Sequence, residues 1–155
     1  MIVIKPAAEE HMPQILKIEQ DAISPPWTHG ALLNEIYETD SHFFVALDDP
    51  TPPSHSVAGF SILRRVGDDG ELLQIAVAKT ARRSGIGDLL MKKTLDHARE
   101  NRYKSVFLEV RRGNGAAMSL YRKHGFAALR TRRDYYCDPV EDAFVMVKEI
   151  HSERK

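Results

Sequence analysis

Between Gln74 and Met91 an apolar strand runs through a short basic turn, Arg82-x-x-Gly85-x-Gly87, and straight into an amphipathic helix. No other segment constrains the fold as much. The first N–H groups of a helix have no intrahelical partner, and the helix dipole places partial positive charge beside them. Gly85 and Gly87 carry no Cβ, so an anion can approach the backbone, while Arg82 and Arg83 add fixed charge. The arrangement reads as a cradle for a pyrophosphate-bearing cofactor. The same residues also describe an ordinary strand-to-helix turn with two solvated arginines.

Other phosphate motifs fit less well. No G-x-x-x-x-G-K-[ST] loop occurs. Gly113-Asn114-Gly115-Ala116-Ala117-Met118 approaches a dinucleotide fingerprint, but Met118 is too large where the third glycine must allow close packing.

The 155 residues predict one domain, residues 1–155, large enough for a core without staples. Twenty-two basic and 22 acidic side chains balance, so no global field points to nucleic acid or an anionic membrane. The single cysteine, Cys137, excludes an intramolecular disulfide and any C-x-x-C metal site, and the histidines do not pair at ligand spacing, so no metal is expected. Met1-Ile-Val-Ile-Lys-Pro is broken too soon for a signal peptide, and no apolar run reaches membrane-spanning length. The expectation is a cytoplasmic protein, a monomer or weak homodimer.

Hydrophobic periodicity predicts a strand over 2–5, a helix over 8–22 and a second helix capped by Thr28. Strands follow over 42–47 and 57–66, separated by a proline-rich loop at 48–56. A turn at Gly67–Gly70 leads to a strand over 72–78 and a long helix over 83–101. A strand over 105–110, a helix over 114–124 closed by Gly125, and strands over 126–134 and 143–148 complete the chain. Hairpins mixed with βαβ crossovers imply an α+β, three-layer α/β/α architecture.

The second dense region runs from Phe107 to Phe126. Glu109 interrupts an apolar strand, where an unpaired carboxylate is costly to bury. It is either paired, with Arg111 or Arg130 as candidates, or solvated in a cleft. On the residues alone Tyr121 reads as a core aromatic, and Asn114 as a helix N-cap or a ligand contact.

These two regions resemble the coenzyme-A loop and the L-E-V-R-x-x-N-x-x-A-x-x-L-Y-x-x-x-G-F pattern of the GNAT acyltransferase superfamily, the latter matched from Leu108 to Phe126. With Ile18-Glu19-Gln20 before Pro26-Trp27, Arg132-Arg133-Asp134-Tyr135-Tyr136 and Glu141–Met146, nearly the whole chain is similar to bacterial ribosomal-protein-alanine N-acetyltransferases. The resemblance implies a mixed, mostly antiparallel sheet flanked by helices, acetyl-CoA as co-substrate and a protein N-terminus as acceptor. It also implies site roles. The strand Ile75-Ala76-Val77 would meet the pantetheine arm, with Ile75 and Val77 offering backbone groups. Arg82, Arg83, Ser84, Gly85, Ile86, Gly87 and Asp88 would hold the pyrophosphate, and Asn114 would contact coenzyme A. Glu109 would be general base and Tyr121 general acid, with Tyr135, Tyr136 and Trp27 near the acceptor.

Those residue types suit the chemistry. An α-amine has a reference pKa of about 7.7–8.0 and lysine about 10.4, so neutralising them at pH 7 costs about 1 and more than about 4 kcal/mol respectively. An ordinary carboxylate therefore serves an N-terminal amine better than a lysine. Direct attack needs no covalent intermediate, so Cys137 is not required as a nucleophile. Cys137, Asp88 and the insert at 48–56 depart from the family pattern, and an acidic Asp88 slightly weakens the attraction for phosphate. Two rival readings remain: a GNAT enzyme for lysine or a small amine such as a polyamine, and a non-enzymatic acyl-CoA-binding module.

Overall fold

The computed structural model describes residues 1–48, 56–137 and 139–150. The expected proline-rich loop lies almost wholly outside the described residues, as does Asp138. Seven strands form one mixed sheet: β1 (Ile2–Pro6), β2 (Ser41–Asp48), β3 (Ser56–Val66), β4 (Asp69–Val77), β5 (Ser105–Arg111), β6 (Ala127–Tyr136) and β7 (Glu141–Glu149). Their order is β1-β2-β3-β4-β5-β7-β6, antiparallel throughout except between β4 and β5. Helices α1 (Met12–Ala22), α2 (His29–Tyr37), α3 (Ile86–Glu100) and α4 (Gly115–Lys123) complete the fold.

Helix packing divides the core in two. Met12, Ile15 and Ile18 of α1 and Leu32 of α2 pack with Val45, Phe60, Ile62 and Ala76 on one face. On the other, Met91, Leu95 and Ala98 of α3 join Met118 and Tyr121 of α4 against Leu72, Leu108 and Met146. Full burial of a side chain such as Ile15 or Leu32 contributes about 1.5–3 kcal/mol. The three-layer expectation is met, with corrections to element limits: β4 begins at Asp69 rather than Leu72, β6 and β7 run longer than expected, and two helices start later.

The long helix starts at Ile86 rather than Arg83, because Arg83 (φ 64°) and Gly85 (φ 85°) are left-handed. The first helix starts at Met12, after a single 3-10 turn over Glu9–His11.

The decisive irregularity is in β4. Ile62 faces Gln74 but Leu63 faces Leu72, so Leu73 is an extra residue on β4. A bulge of this kind bends its strand and inverts the alternation beyond it. Leu72 accordingly packs under α3, whereas Ala76, four residues on, packs under α1 and α2.

Candidate active site

The bulge opens the sheet. β4 and β5 pair only at Gly70–Val106 and Glu71–Phe107, and beyond Glu71 they have no ladder between them. β4 thus carries a free edge facing the gap. Ala78 N–H donates to Ala58 C=O at 2.8 Å, and antiparallel pairs alternate between bonded and non-bonded. Ala76 therefore spends its backbone groups on β3, whereas Ile75 and Val77 turn theirs toward the gap. The Val77 carbonyl accepts from Arg82 Nε at 3.3 Å. Of the three strand residues expected at the site, two present polar backbone to it, and Ala76 is buried on the opposite side.

At the end of that edge stands the uncapped start of α3. Gly85 is its N-cap, in a conformation L side chains resist, and no side chain closes the turn. The first helical bond is Leu89 N–H to Gly85 C=O at 3.1 Å, so the N–H groups of Ile86, Gly87 and Asp88 precede the ladder. Arg82 and Arg83 are exposed, and neither makes an ion pair among the described residues. Ser84 Oγ donates to Ala81 C=O, holding the loop. The Ile86 side chain is core, leaving only its N–H to a ligand. By contrast, α2 and α4 are capped by Thr28 and Asn114, each accepting at 3.1 Å from the N–H three residues on. Asn114 Oδ1 is thus engaged with Ala117.

Asp88 turns away from this cradle. Its carboxylate accepts from His124 Nε2 at 2.8 Å and Lys123 Nζ at 3.1 Å. Hydrogen bonds from His124 first, then Lys123, hold it below the usual carboxylate range. Its charge is met at the end of α4, so the expected weakening of anion attraction is offset.

Glu109 and Tyr121 approach the gap from opposite faces of the sheet. Leu108 and Val110 point to the α3–α4 core, so Glu109 points to the α1–α2 side. There it lines a cavity of about 380 Å³ with Glu71, Arg130, Arg132 and Tyr135. Its partner is neither Arg111 nor Arg130, the pairings the sequence offered, but Arg132, whose Nη1 lies 2.6 Å from Oε2. Exposed β6 places Arg132 across β7 from β5, a relation no local spacing reveals. A hydrogen bond to Glu109, then burial, raises the Tyr135 hydroxyl, and burial pushes Tyr136 up to about 12.

Tyr121 is buried on α4, edge-on to Phe126 with ring centroids 6.0 Å apart. Burial, then the nearby Tyr136, raises its hydroxyl well above the ordinary phenol value, so it stays protonated. The hydroxyl has no protein partner among the described residues, yet it is not sealed from solvent.

Sequence reasoning missed four participants. Glu71 shares the Glu109 cavity, and burial, then the Glu109 charge, raises its carboxyl. Arg111 bridges the two loops beside the gap: its Nη2 donates to Ser24 C=O and, at 3.3 Å, to Cys137 C=O, while Nη1 reaches Pro139 C=O and Glu141 Oε1, each at 3.2 Å. The guanidinium also lies 4.3 Å from the Tyr136 ring centroid. Glu19 and Gln74 fix Trp27, whose N–H donates to Glu19 Oε2 at 2.8 Å. The Ile-Glu-Gln and Leu-Glu-Val-Arg motifs contain Glu19 and Arg111, but the partners lie in other elements and loops. No cluster of three metal-ligating side chains occurs among the described residues, nor a helix long and apolar enough to cross a membrane.

A diverging strand pair, a free strand edge and an uncapped helix are now joined by a sequence match. Residues 12–126 match the acetyltransferase (GNAT) family. The chain belongs to that family. The ribosomal protein bS18-alanine N-acetyltransferase of Salmonella typhimurium is 31% identical to this acetyltransferase over 141 residues, 90% of this chain and 91% of that one. The N-alpha-acetyltransferase of Sulfurisphaera tokodaii is 32% identical over 145 residues, 88% and 86% of the two chains. The crystal structure of the ribosomal-protein-S18-alanine N-acetyltransferase from Escherichia coli matches with a TM-score of 0.88 at 29% identity, covering 100% of this chain and 97% of that one. This acetyltransferase thus shares its fold with that structure over the whole chain.

Proposed function

We propose that this GNAT enzyme, acting as one domain in the cytoplasm, moves an acetyl group from acetyl-CoA to a protein N-terminal amine, the N-terminal alanine of a ribosomal protein being the favoured acceptor. The observation that carries the reading is the pairing of the free Ile75/Val77 edge with the uncapped N–H groups of residues 86–88 along one side of the gap. A pantetheine arm has amides that such an edge can pair as a strand would, and a diphosphate suits the start of α3 with Arg82 and Arg83 beside it. The acceptor class is supported by the similarity to enzymes of that named activity.

In this reading Glu109 stands on the acceptor face as general base, its carboxylate held by Arg132 and Tyr135. An α-amine is within about one pKa unit of neutral pH, so a carboxylate acting through water can take its proton. The freed nitrogen attacks the thioester carbonyl, and Val77 N–H is directed where negative charge develops on oxygen. Tyr121, protonated and unpartnered, gives its proton to the departing thiolate from the opposite face. Tyr135, Tyr136 and Trp27 form the walls beside the acceptor.

The test is acetyl transfer, read by mass spectrometry, to a panel of peptides with varied N-termini, beside internal-lysine peptides and polyamines. Transfer to alanine-led peptides alone supports the reading. Transfer only to polyamines or lysine sinks the acceptor assignment, and acetyl-CoA binding without any transfer leaves a non-enzymatic acyl-CoA module.

A further inference from the structure

Two buried glutamates stand on the helices of the acceptor face, and their surroundings differ. Glu35 of α2 is met by the Arg64 guanidinium and the Ser41 hydroxyl. Glu19 of α1 is fully buried and has no ion pair among the described residues. From the α1–α2 loop the Trp27 N–H donates to its Oε2, and from β4 Gln74 Nε2 donates to the same oxygen at 2.9 Å. Neither of these groups titrates, and no charged side chain is among the influences on Glu19. The other oxygen, Oε1, is sealed from solvent without a partner, and so is Gln74 Oε1.

Two sealed acceptors on side chains that already touch lack a donor between them. An ionised carboxylate in this position would lose its hydration with no cation to replace it, and such a group takes up a proton instead. A proton on Oε1 removes one orphan and offers a donor to the other. Burial also holds the Glu19 carboxyl above its ordinary value, outweighing the two hydrogen bonds it accepts.

We propose that Glu19 is carried as the neutral acid and, as donor and acceptor together, is the positioning residue that ties the acceptor loop to the strand bearing Ile75. The inference rests on the acceptor site proposed above. Gln74 directly precedes Ile75, and Trp27 ends the loop whose other end Arg111 holds at Ser24. Among the described residues, Glu19 is the side chain that hydrogen-bonds both the loop and β4. Ionisation would keep the two N–H donations into Oε2 but would remove the Oε1–H donor and leave a buried charge without a cation. The contact with Gln74 therefore loosens as pH rises through the folded-state pKa, and acceptor KM rises with it.

Carbon-13 NMR of the Glu19 carboxyl in the free protein reads protonation without any activity. A neutral carboxyl at pH 7, absent from the Glu19→Gln spectrum, is expected; an ionised one overturns the proposal even if the enzyme acetylates alanine-led peptides. Kinetics supplies the second arm. Glu19→Gln, which keeps a donor and an acceptor, should hold acceptor KM within about twofold and flatten its alkaline rise, whereas Glu19→Leu should raise it about tenfold with acetyl-CoA affinity unchanged. Equal damage from both substitutions would mean that the charge itself is needed, refuting the neutral acid. Should Glu19→Leu fail to fold, the NMR and the glutamine variant still decide. Should no acceptor be found, the NMR result stands independently of the proposed function.

Discussion

Tyr121→Phe separates catalysis from stability at one atom. Tyr121 is 8% exposed, and its ring packs against Phe126 in the α3–α4 core. Phenylalanine keeps that packing, so the loss of about 3–5 kcal/mol expected on truncating a large aromatic to alanine does not arise. The hydroxyl makes no protein hydrogen bond among the described residues, and burying an unpaired polar group costs about 1–3 kcal/mol. Since the oxygen is not fully sealed, the variant should be between neutral and about 1 kcal/mol more stable. Turnover should move the other way. A positioned general acid is worth about 10²–10⁴-fold, or roughly 2.7–5.4 kcal/mol of barrier. Denaturant unfolding gives the first number and single-turnover acetylation, with free thiol followed in parallel, gives the second. The raised hydroxyl stays protonated past the ordinary phenol range, so wild-type kcat should show no alkaline limb from Tyr121 below about pH 10. Wild-type turnover in the phenylalanine variant, or a rate loss matched by several kcal/mol of destabilisation, would refute the assignment.

Three further perturbations probe the surrounding parts. Gly85→Ala forces a side chain into φ 85° and should cost about 1–2 kcal/mol in stability while raising acetyl-CoA KM, with acceptor KM unchanged. Arg111→Lys replaces a planar fork with a point charge, so it cannot span Ser24, Cys137 and Pro139 together; acceptor KM should rise with acetyl-CoA affinity intact. Asp88→Asn removes an ion pair at the protein surface, so at neutral pH it should cost no more than about 1 kcal/mol. The Asp88 carboxyl is depressed on folding, so its stabilisation is present above the unfolded carboxylate pKa of about 3.9 and lost as pH falls through the folded value. Thermal unfolding of both proteins across acid pH should therefore converge; a constant difference down to the lowest pH would contradict this.

What could be read from the sequence depended on whether information was local. The Arg82–Gly87 turn was legible because glycine spacing and helix periodicity fall within one window, and the same holds for the Asn114 cap and the Gly67 turn. The bulge was not, because Leu72-Leu73 reads as an unbroken apolar strand when an extra residue is hidden in it. That bulge decides which face Gln74 and Ala76 occupy and where β4 leaves β5. Glu109 was visible as a carboxylate in an apolar strand, but its partner comes from β6, which has no buried face and so little periodicity to mark it. Arg111 acts mostly on backbone carbonyls of distant loops, and Glu19 on the Trp27 backbone N–H and a side chain of β4; backbone carries no sequence signature. Asp88 looked like a liability in an anion site until the fold brought Lys123 and His124 to it.

Residue-resolved amide hydrogen exchange, with and without acetyl-CoA, tests the central claim most directly. Binding should slow exchange at Ile75, Val77, Ile86, Gly87 and Asp88, and leave Ala76, already bonded to β3, unchanged. Protection of Ala76 with its neighbours unaffected, or no protection at 86–88 on saturation, would contradict the placement of the thioester along this edge.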